Sequence, residues 1–476
     1  MRTLRTLAPA PLTDARSVSG NTRLRNTAFK IGLLAVILEF LLSANSLEQM
    51  GIKYASVGGN PLFKLHPATY LVGIACLMVL FLTRPAGAGL VRFFRRTPAL
   101  ATYAVLILFC AFYSIVNVGF SGAAVYVESY LSAALLAVAL EGGSDRQKRV
   151  LAWWIIGFCL LSIVISIGES ATQTHLIPVT YGDEVDANTK KLVDDVSDFR
   201  GDGLFGHPLT AALTASMATF LLLRMQMNPL LKGSLFTTML IGLLSFGGRA
   251  ALVTTVIMIA IAAVVELIRG LARRDLSLGF LGALTAGIVI LPPLIIMVIA
   301  GTDIGERIIT HMYYDDSASV RNTQWLVLTH LNLNDVLFGV PPTRLDVLKY
   351  QIGLGTATTD IENFWLLMFL NLGIIGFIVF LFALGLLIVH LGRTANHPLG
   401  WMLLVAAILI DSTSNSLGRK SVDLFFMTAC VIAMSGYAEP TPVPRSVTQK
   451  PPVGRDRTVE RLSLRPSSVK LVGFKS

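Results

Sequence analysis

Apolar runs long enough to cross a lipid bilayer recur along nearly the whole chain, and this property removes most architectures from consideration. Stretches such as "ALVTTVIMIAIAAVVEL" (251–267) and "GFIVFLFALGLLIV" (376–389) are continuous rather than alternating. A hydrocarbon core about 30 Å thick needs about 20 consecutive apolar residues in helical form. Within that core every backbone N–H and C=O must be satisfied inside the segment, which a helix does by itself. Twelve such runs are read, including 29–46, 122–140, 277–300, 372–391, 398–411 and 421–436. Composition agrees: 54% of the residues are hydrophobic and 14% charged, whereas soluble domains carry about 25% charged residues. The fold class expected is an all-α polytopic membrane protein with two long outward loops.

Charge orients the runs. A formal charge of +10 would suit nucleic acid or anionic lipid, but the basic residues are unevenly spread. Arg2, Arg5, Arg16, Arg23, Arg25 and Lys30 accompany the start of the chain, and Arg84, Arg92, Arg95 and Arg96 follow the second run. Arg146, Lys148 and Arg149 follow the fourth run, Arg269, Arg273 and Arg274 the eighth, and Arg445, Arg455 and Arg461 are among those of the tail. With twelve spans all of these fall on one face, as the positive-inside rule requires. Both termini are then cytoplasmic, and no nucleic-acid partner is expected.

The order expected is a basic cytoplasmic leader (1–28), five helices (29–168), an outward loop (169–207), four helices (208–300), a larger outward loop (301–371), three helices (372–436) and a disordered, proline-rich cytoplasmic tail (437–476). No signal-peptide cleavage site follows the first apolar run, so that run is expected to stay as a helix. Cys76, Cys110, Cys159 and Cys430 all lie inside apolar runs, which argues against a disulfide framework or a thiolate metal site. No metal-ligand motif appears and no cofactor is expected.

The two outward loops are longer than a connection requires, and long loops tend to carry function. The first is acidic, with Glu169, Asp202 and six further acids against Lys190, Lys191 and Arg200. Three arginines stand near helix ends on the outward side: Arg200 in "DFRGDGLFGHP", Arg249 in "SFGGRAAL" and Arg321 in "SVRNTQWLVLTHL". The guanidinium fork suits bidentate binding of phosphate, and neighbouring glycines such as Gly203 and Gly206 let backbone N–H groups approach an anion at a helix start. Each arginine alone also reads as an interfacial residue whose stem lies along apolar surface. His207 reads as a helix cap or as a catalytic base. Trp325 shares a helical face with Arg321 at i, i+4 spacing. Glu128, between Tyr126 and Tyr130 inside an apolar run, reads either as a functional carboxylate or as the structural partner of an arginine.

Four stretches carry a resemblance: "RGDGLFGHP" (200–208), "GGRAA" (247–251), "RNTQW" with "LFGVP" (321–341) and "ENFWLLMFLNLGIIG" (362–376). In their order and spacing the chain resembles the O-antigen ligase and Wzy-type polysaccharide polymerase family, covering about residues 200–380. The resemblance implies a membrane glycosyltransferase of the bacterial inner membrane, multi-pass, with its active site facing the periplasm. It implies undecaprenyl-diphosphate-linked oligosaccharides as substrates, and a flippase and a chain-length regulator of the same pathway as partners beside the lipid bilayer. By the same resemblance Arg200, Arg249 and Arg321 bind the donor diphosphate, with Gly203, Gly206, His207, Trp325 and Asn363 in support.

One departure bears on the reaction. Ligases of this family carry a histidine, then Asn, Ser or Gln, nine residues and GxxG; here Glu362 stands where the histidine would be, followed by Asn363 and, after nine residues, Gly373 and Gly376. The family histidine activates the acceptor hydroxyl. A glutamate can serve as that base, so Glu362 is the expected catalytic residue and polymerase the expected activity. The rivals are a ligase that transfers polysaccharide to lipid A core and, from another class, a lipid-linked-sugar flippase or transporter.

Overall fold

The computed structural model describes residues 15–54, 61–178, 199–273, 323–353, 361, 363–414 and 420–437. The protein is an α-helical membrane protein, and no strand occurs among the described residues. The expected run at 277–300 and the tail lie outside the described residues. Helix α1 (Ala15–Leu41) is followed by a short α2 (Ala44–Gln49), which Ser43 starts by accepting the Ser46 amide on its hydroxyl at 3.3 Å. The first expected span, 29–46, is therefore interrupted after Leu41, and helix begins at Ala15, inside the stretch expected as a leader. The cause is a cap. Ser at an N-cap satisfies orphan amides of a new helix and so favours a break in an otherwise apolar run.

Next come α3 (Pro67–Phe81), the short basic α4 (Ala88–Arg96) and α5 (Pro98–Val118). The fourth run is composite. It comprises α6 (Phe120–Val125), a π-helical turn at Tyr126–Leu131 and α7 (Ser132–Glu141). Then follow α8 (Asp145–Thr172), α9 (Pro208–Arg224), α10 (Pro229–Ser245) and α11 (Arg249–Arg273). The stretch expected as the larger outward loop holds two short helices, α12 (Leu333–Phe338) and α13 (Pro342–Gln351). The chain finishes its described course with α14 (Phe364–Ala395), α15 (Pro398–Ser414) and α16 (Asp423–Ser435). α14 begins at Phe364, where Asn363 caps it, so it enters the stretch expected as loop.

Among the described residues five helical stretches are long and apolar enough to cross a bilayer: 98–117, 122–141, 145–172, 249–272 and 364–395. Their outward residues are apolar. On α11 the exposed Val253, Ile257, Ile261, Val264, Ile268 and Leu271 form a stripe at helical spacing, as a lipid-facing surface requires. Two of the shorter apolar helices occupy the interior. α9 is buried from Ala211 to Leu222 and α16 from Asp423 to Met434. Their small residues (Ala, Ser, Thr) let backbones approach closely, the usual basis of helix packing in membranes. At 1.5 Å per residue the 17 residues of α9 reach about 26 Å, less than a full hydrocarbon core. Surrounded by protein, α9 need not match the lipid.

The two ends of the bundle differ in charge. At one end Arg25 lies against Gly142, close to Arg92 and Arg96; burial and then these two neighbours lower its pKa. His390 bonds Glu141 there, and Gly436 packs on Lys148. Glu39 lies further along α1, about 21 Å away by helical rise, and it marks the other end, where the candidate site residues gather.

Candidate functional site

The C-terminal turns of α8 are the platform of the site. Ser162, Ser166 and Glu169 fall on one face at i, i+4 and i+7. Glu169 Oε2 accepts the backbone amides of Asp202 and Gly203, each at 2.9 Å, and Oε1 accepts that of Leu176 at 2.8 Å. Ser162 Oγ accepts the Leu204 amide at 3.1 Å. The loop from Phe199 to His207 is thereby pinned along the helix. Gly203 has φ +58, and a Cβ there would overlap the Ser162 hydroxyl and stand 2.6 Å from its carbonyl oxygen. Glycine is needed for contact, not for flexibility.

The same helix fixes the second arginine segment. Ser166 donates to Ser245 Oγ at 3.1 Å, and Ile163 packs where Gly242 has no side chain. Beyond α10 the chain turns at Gly247, φ +66, and the Arg200 side chain lies across that glycine, its Cδ 3.1 Å from where a Cβ would be. Arg249 follows two residues later as the first residue of α11. Two arginine segments 49 positions apart in sequence (249 minus 200) are thus brought together at the starts of α9 and α11. Both arginines are half-buried. Guanidinium groups at helix N-termini are suited to holding an anion.

The remaining expected residues are placed as follows. Gly206, φ +66, packs on Ser43, and its carbonyl accepts from Asn45 Nδ2 at 3.1 Å. His207 is exposed at the N-cap position of α9, where its carbonyl accepts the Ala211 amide at 3.1 Å while its side chain makes no capping hydrogen bond. Arg321 and Glu362 lie outside the described residues. Their neighbours meet: the Asn363 amide donates to the buried Gln324 Oε1 at 3.3 Å. Trp325 is half-exposed and opens a 3₁₀ helix, Trp325–His330; its expected pairing with Arg321 falls outside the described residues. Asn363 caps α14 by accepting the Leu366 amide at 3.0 Å.

Gly373 has an internal role. It breaks α14 with φ 61 and ψ 178, and the turn after α12 fits into the break. A Cβ on Gly373 would overlap the Leu337 carbonyl and lie 2.5 Å from Gly339 N, while Val340 N donates to Leu370 O at 2.6 Å. "LFGVP" and "NLGIIG" are therefore in backbone contact. No family model matches this chain, and no curated protein matches it.

Two clusters were not legible in the sequence. Glu128, in the π-helical turn, accepts from His66 N at 2.9 Å and from Thr69 Oγ1 at 3.0 Å. His66 Nδ1 stands 2.9 Å from Glu39, and its Nε2 is 2.7 Å from Leu42 O. Among the described residues the hydrogen-bond donors to Glu128 are thus the His66 amide and the Thr69 hydroxyl, and not the arginine considered from sequence. Burial opposes the charge of His66, but Glu39 and then Glu128 outweigh it and raise its pKa to about 9. Lys420 donates to Tyr54 O and Lys64 O at 2.7 and 2.8 Å and lies over the Tyr54 ring; burial lowers it to about 8. The second cluster joins Glu169, His175 and Asp202. Burial, then the neighbouring Glu169, raises Asp202 to about 8. No ligand spacing in the sequence signalled either group, because the members come from separate segments.

Proposed function

We propose that this chain is a membrane glycosyltransferase of the Wzy polymerase type, joining undecaprenyl-diphosphate-linked repeat units at the periplasmic face of the bacterial inner membrane, in exopolysaccharide or O-antigen synthesis. The observation that carries this reading is the pairing of the resembling stretches. Arg200 lies on Gly247 beside Arg249, Gln324 meets Asn363, and the Gly339 turn enters the Gly373 break. α15 packs against α9, α11 and α14, so the helices that follow these stretches share one neighbour. Twelve spans with cytoplasmic termini accord with the gathering of Arg25, Arg92 and Arg96 at the opposite end.

In the reaction proposed, an acceptor sugar hydroxyl attacks the anomeric carbon of the donor, and the bond from that carbon to the phosphate oxygen breaks. The hydroxyl proton passes to the Glu362 carboxylate. Undecaprenyl diphosphate leaves with the bonding pair, its charge held by Arg200, Arg249 and Arg321. The Glu362→Gln variant keeps size while removing the basic oxygen. It is expected to lower polymer formation about 100-fold or more, with lipid-linked single repeats accumulating at unchanged protein level. Near-normal polymer in gel analysis of such cells removes Glu362 from the mechanism. Normal polymer in a deletion strain, with lipid A core left bare, identifies a ligase instead.

A further inference from the structure

We propose that Glu169, His175 and Asp202 form a binding site for a divalent transition-metal ion of the zinc class, at the end of the bundle that carries Arg200. His175 Nδ1 lies 3.3 Å from Asp202 Oδ1 and 3.9 Å from Glu169 Oε1, and the three donor atoms all lie within 4.8 Å of one another. Zinc bonds to nitrogen and oxygen are about 2.0–2.2 Å, which sets tetrahedral donors roughly 3.3–3.5 Å apart. The cluster is therefore close to a zinc-sized spacing. Imidazole with two carboxylates favours a transition metal over magnesium or calcium, which take oxygen ligands.

Charge gives an independent reason. Glu169 and Asp202 are 3% and 1% exposed, side by side. Glu169 accepts three backbone amides, but Asp202 Oδ2 is buried with no hydrogen-bond partner. Burying two adjacent carboxylates demands a proton or a cation between them, and one histidine supplies at most one positive charge. His175 is set for ligation. Its ring stacks on Phe199 at 4.6 Å between centroids, and it is 22% exposed, so an ion bound there would be reached from solvent, with water as its fourth ligand. An ion there would tie the end of α8 to the segment that carries Arg200. The site needs no glycosyl chemistry and stands apart from the polymerase reading.

The test uses the full-length protein in detergent, stripped with a chelator and dialysed against Zn²⁺ or Co²⁺ alone. The expected result is one ion per chain by elemental analysis, strong visible d–d absorption of four-coordinate Co²⁺, and a higher melting temperature with Zn²⁺. His175→Ala and Asp202→Asn are expected to weaken binding roughly tenfold or more and to lose the Zn²⁺-dependent shift. Wild-type protein that retains no ion after dialysis, or gives only the weak octahedral Co²⁺ spectrum, overturns the site and leaves a shared proton between the carboxylates. Equal retention by folded His175→Ala overturns it as well. Absence of an ion from the wild type overturns the site by itself, and where His175→Ala does not fold, equal retention by folded Asp202→Asn overturns it.

Discussion

Arg200 rests on a glycine, and the contact shows how single residues shape the site. A side chain at 247 would displace the Arg200 stem, whose Cδ comes within 3.1 Å of the Cβ position. The guanidinium is thereby directed from a fixed base. If Arg200 and Arg249 act as forks on a diphosphate, lysine will not replace them, because it keeps the charge but loses the planar bidentate geometry. Arg200→Lys and Arg249→Lys are each expected to lower polymer yield about 100-fold, near the loss given by alanine, since removal of one preorganised donor costs about 10²–10³ in rate. Immunoblotting controls for protein level. Full activity in both lysine variants reduces the pair to surface charge. These arginines stood out in the sequence because outward basic residues oppose the charge bias. His66, His175 and Lys420 did not, since their partners Glu39, Asp202 and Tyr54 are close only in space.

Among the elements, α14 departs furthest from its sequence pattern. Its hydrophobic run predicts one uninterrupted helix, and the chain instead breaks at Gly373 to admit backbone from the loop. The two glycines of "GIIG" are not equivalent. A Cβ at Gly373 meets the Leu337 and Gly339 backbone, and φ 61 disfavours any L side chain; a Cβ at Gly376 meets only the Leu372 side chain of the same helix, at 3.0 Å. A backbone at φ 61 and ψ 178 is essentially restricted to glycine and costs another residue roughly 1–3 kcal/mol, and a clash with backbone adds to it. Gly373→Ala is expected to destabilise by about 2 kcal/mol or more, whereas Gly376→Ala is expected to change stability by less than about 1 kcal/mol, helix propensity partly offsetting the tight contact. Thermal unfolding in detergent compares them, and equal melting temperatures refute the assignment of the break to Gly373. The break was not legible beforehand, because GxxG also occurs in straight helices. What decides it is the docking of α12 and the Gly339 turn, to which Tyr113 contributes by donating to Phe338 O at 2.6 Å.

For the whole molecule, the proposed chemistry requires that both arginine segments and the large loop face one compartment. Reporter fusions at residues 190 and 340 are expected to mark the periplasm, and fusions at 272 and after 440 the cytoplasm. Opposite faces for 190 and 340 exclude a shared site. Helix content and the apolar character of runs such as 250–268 were readable in the chain alone, because both depend on local sequence and on the cost of placing polar groups in hydrocarbon. Contact between segments far apart in sequence was not. The seating of "RGDG" against α8, the entry of the Gly339 turn into α14 and the meeting of Glu169, His175 and Asp202 depend on which helices pack side by side. Apolar runs determine that helices form and cross. They are too alike in composition to specify their neighbours, so close backbone approach at small residues, and the few buried hydrogen bonds that survive it, decided the site in three dimensions.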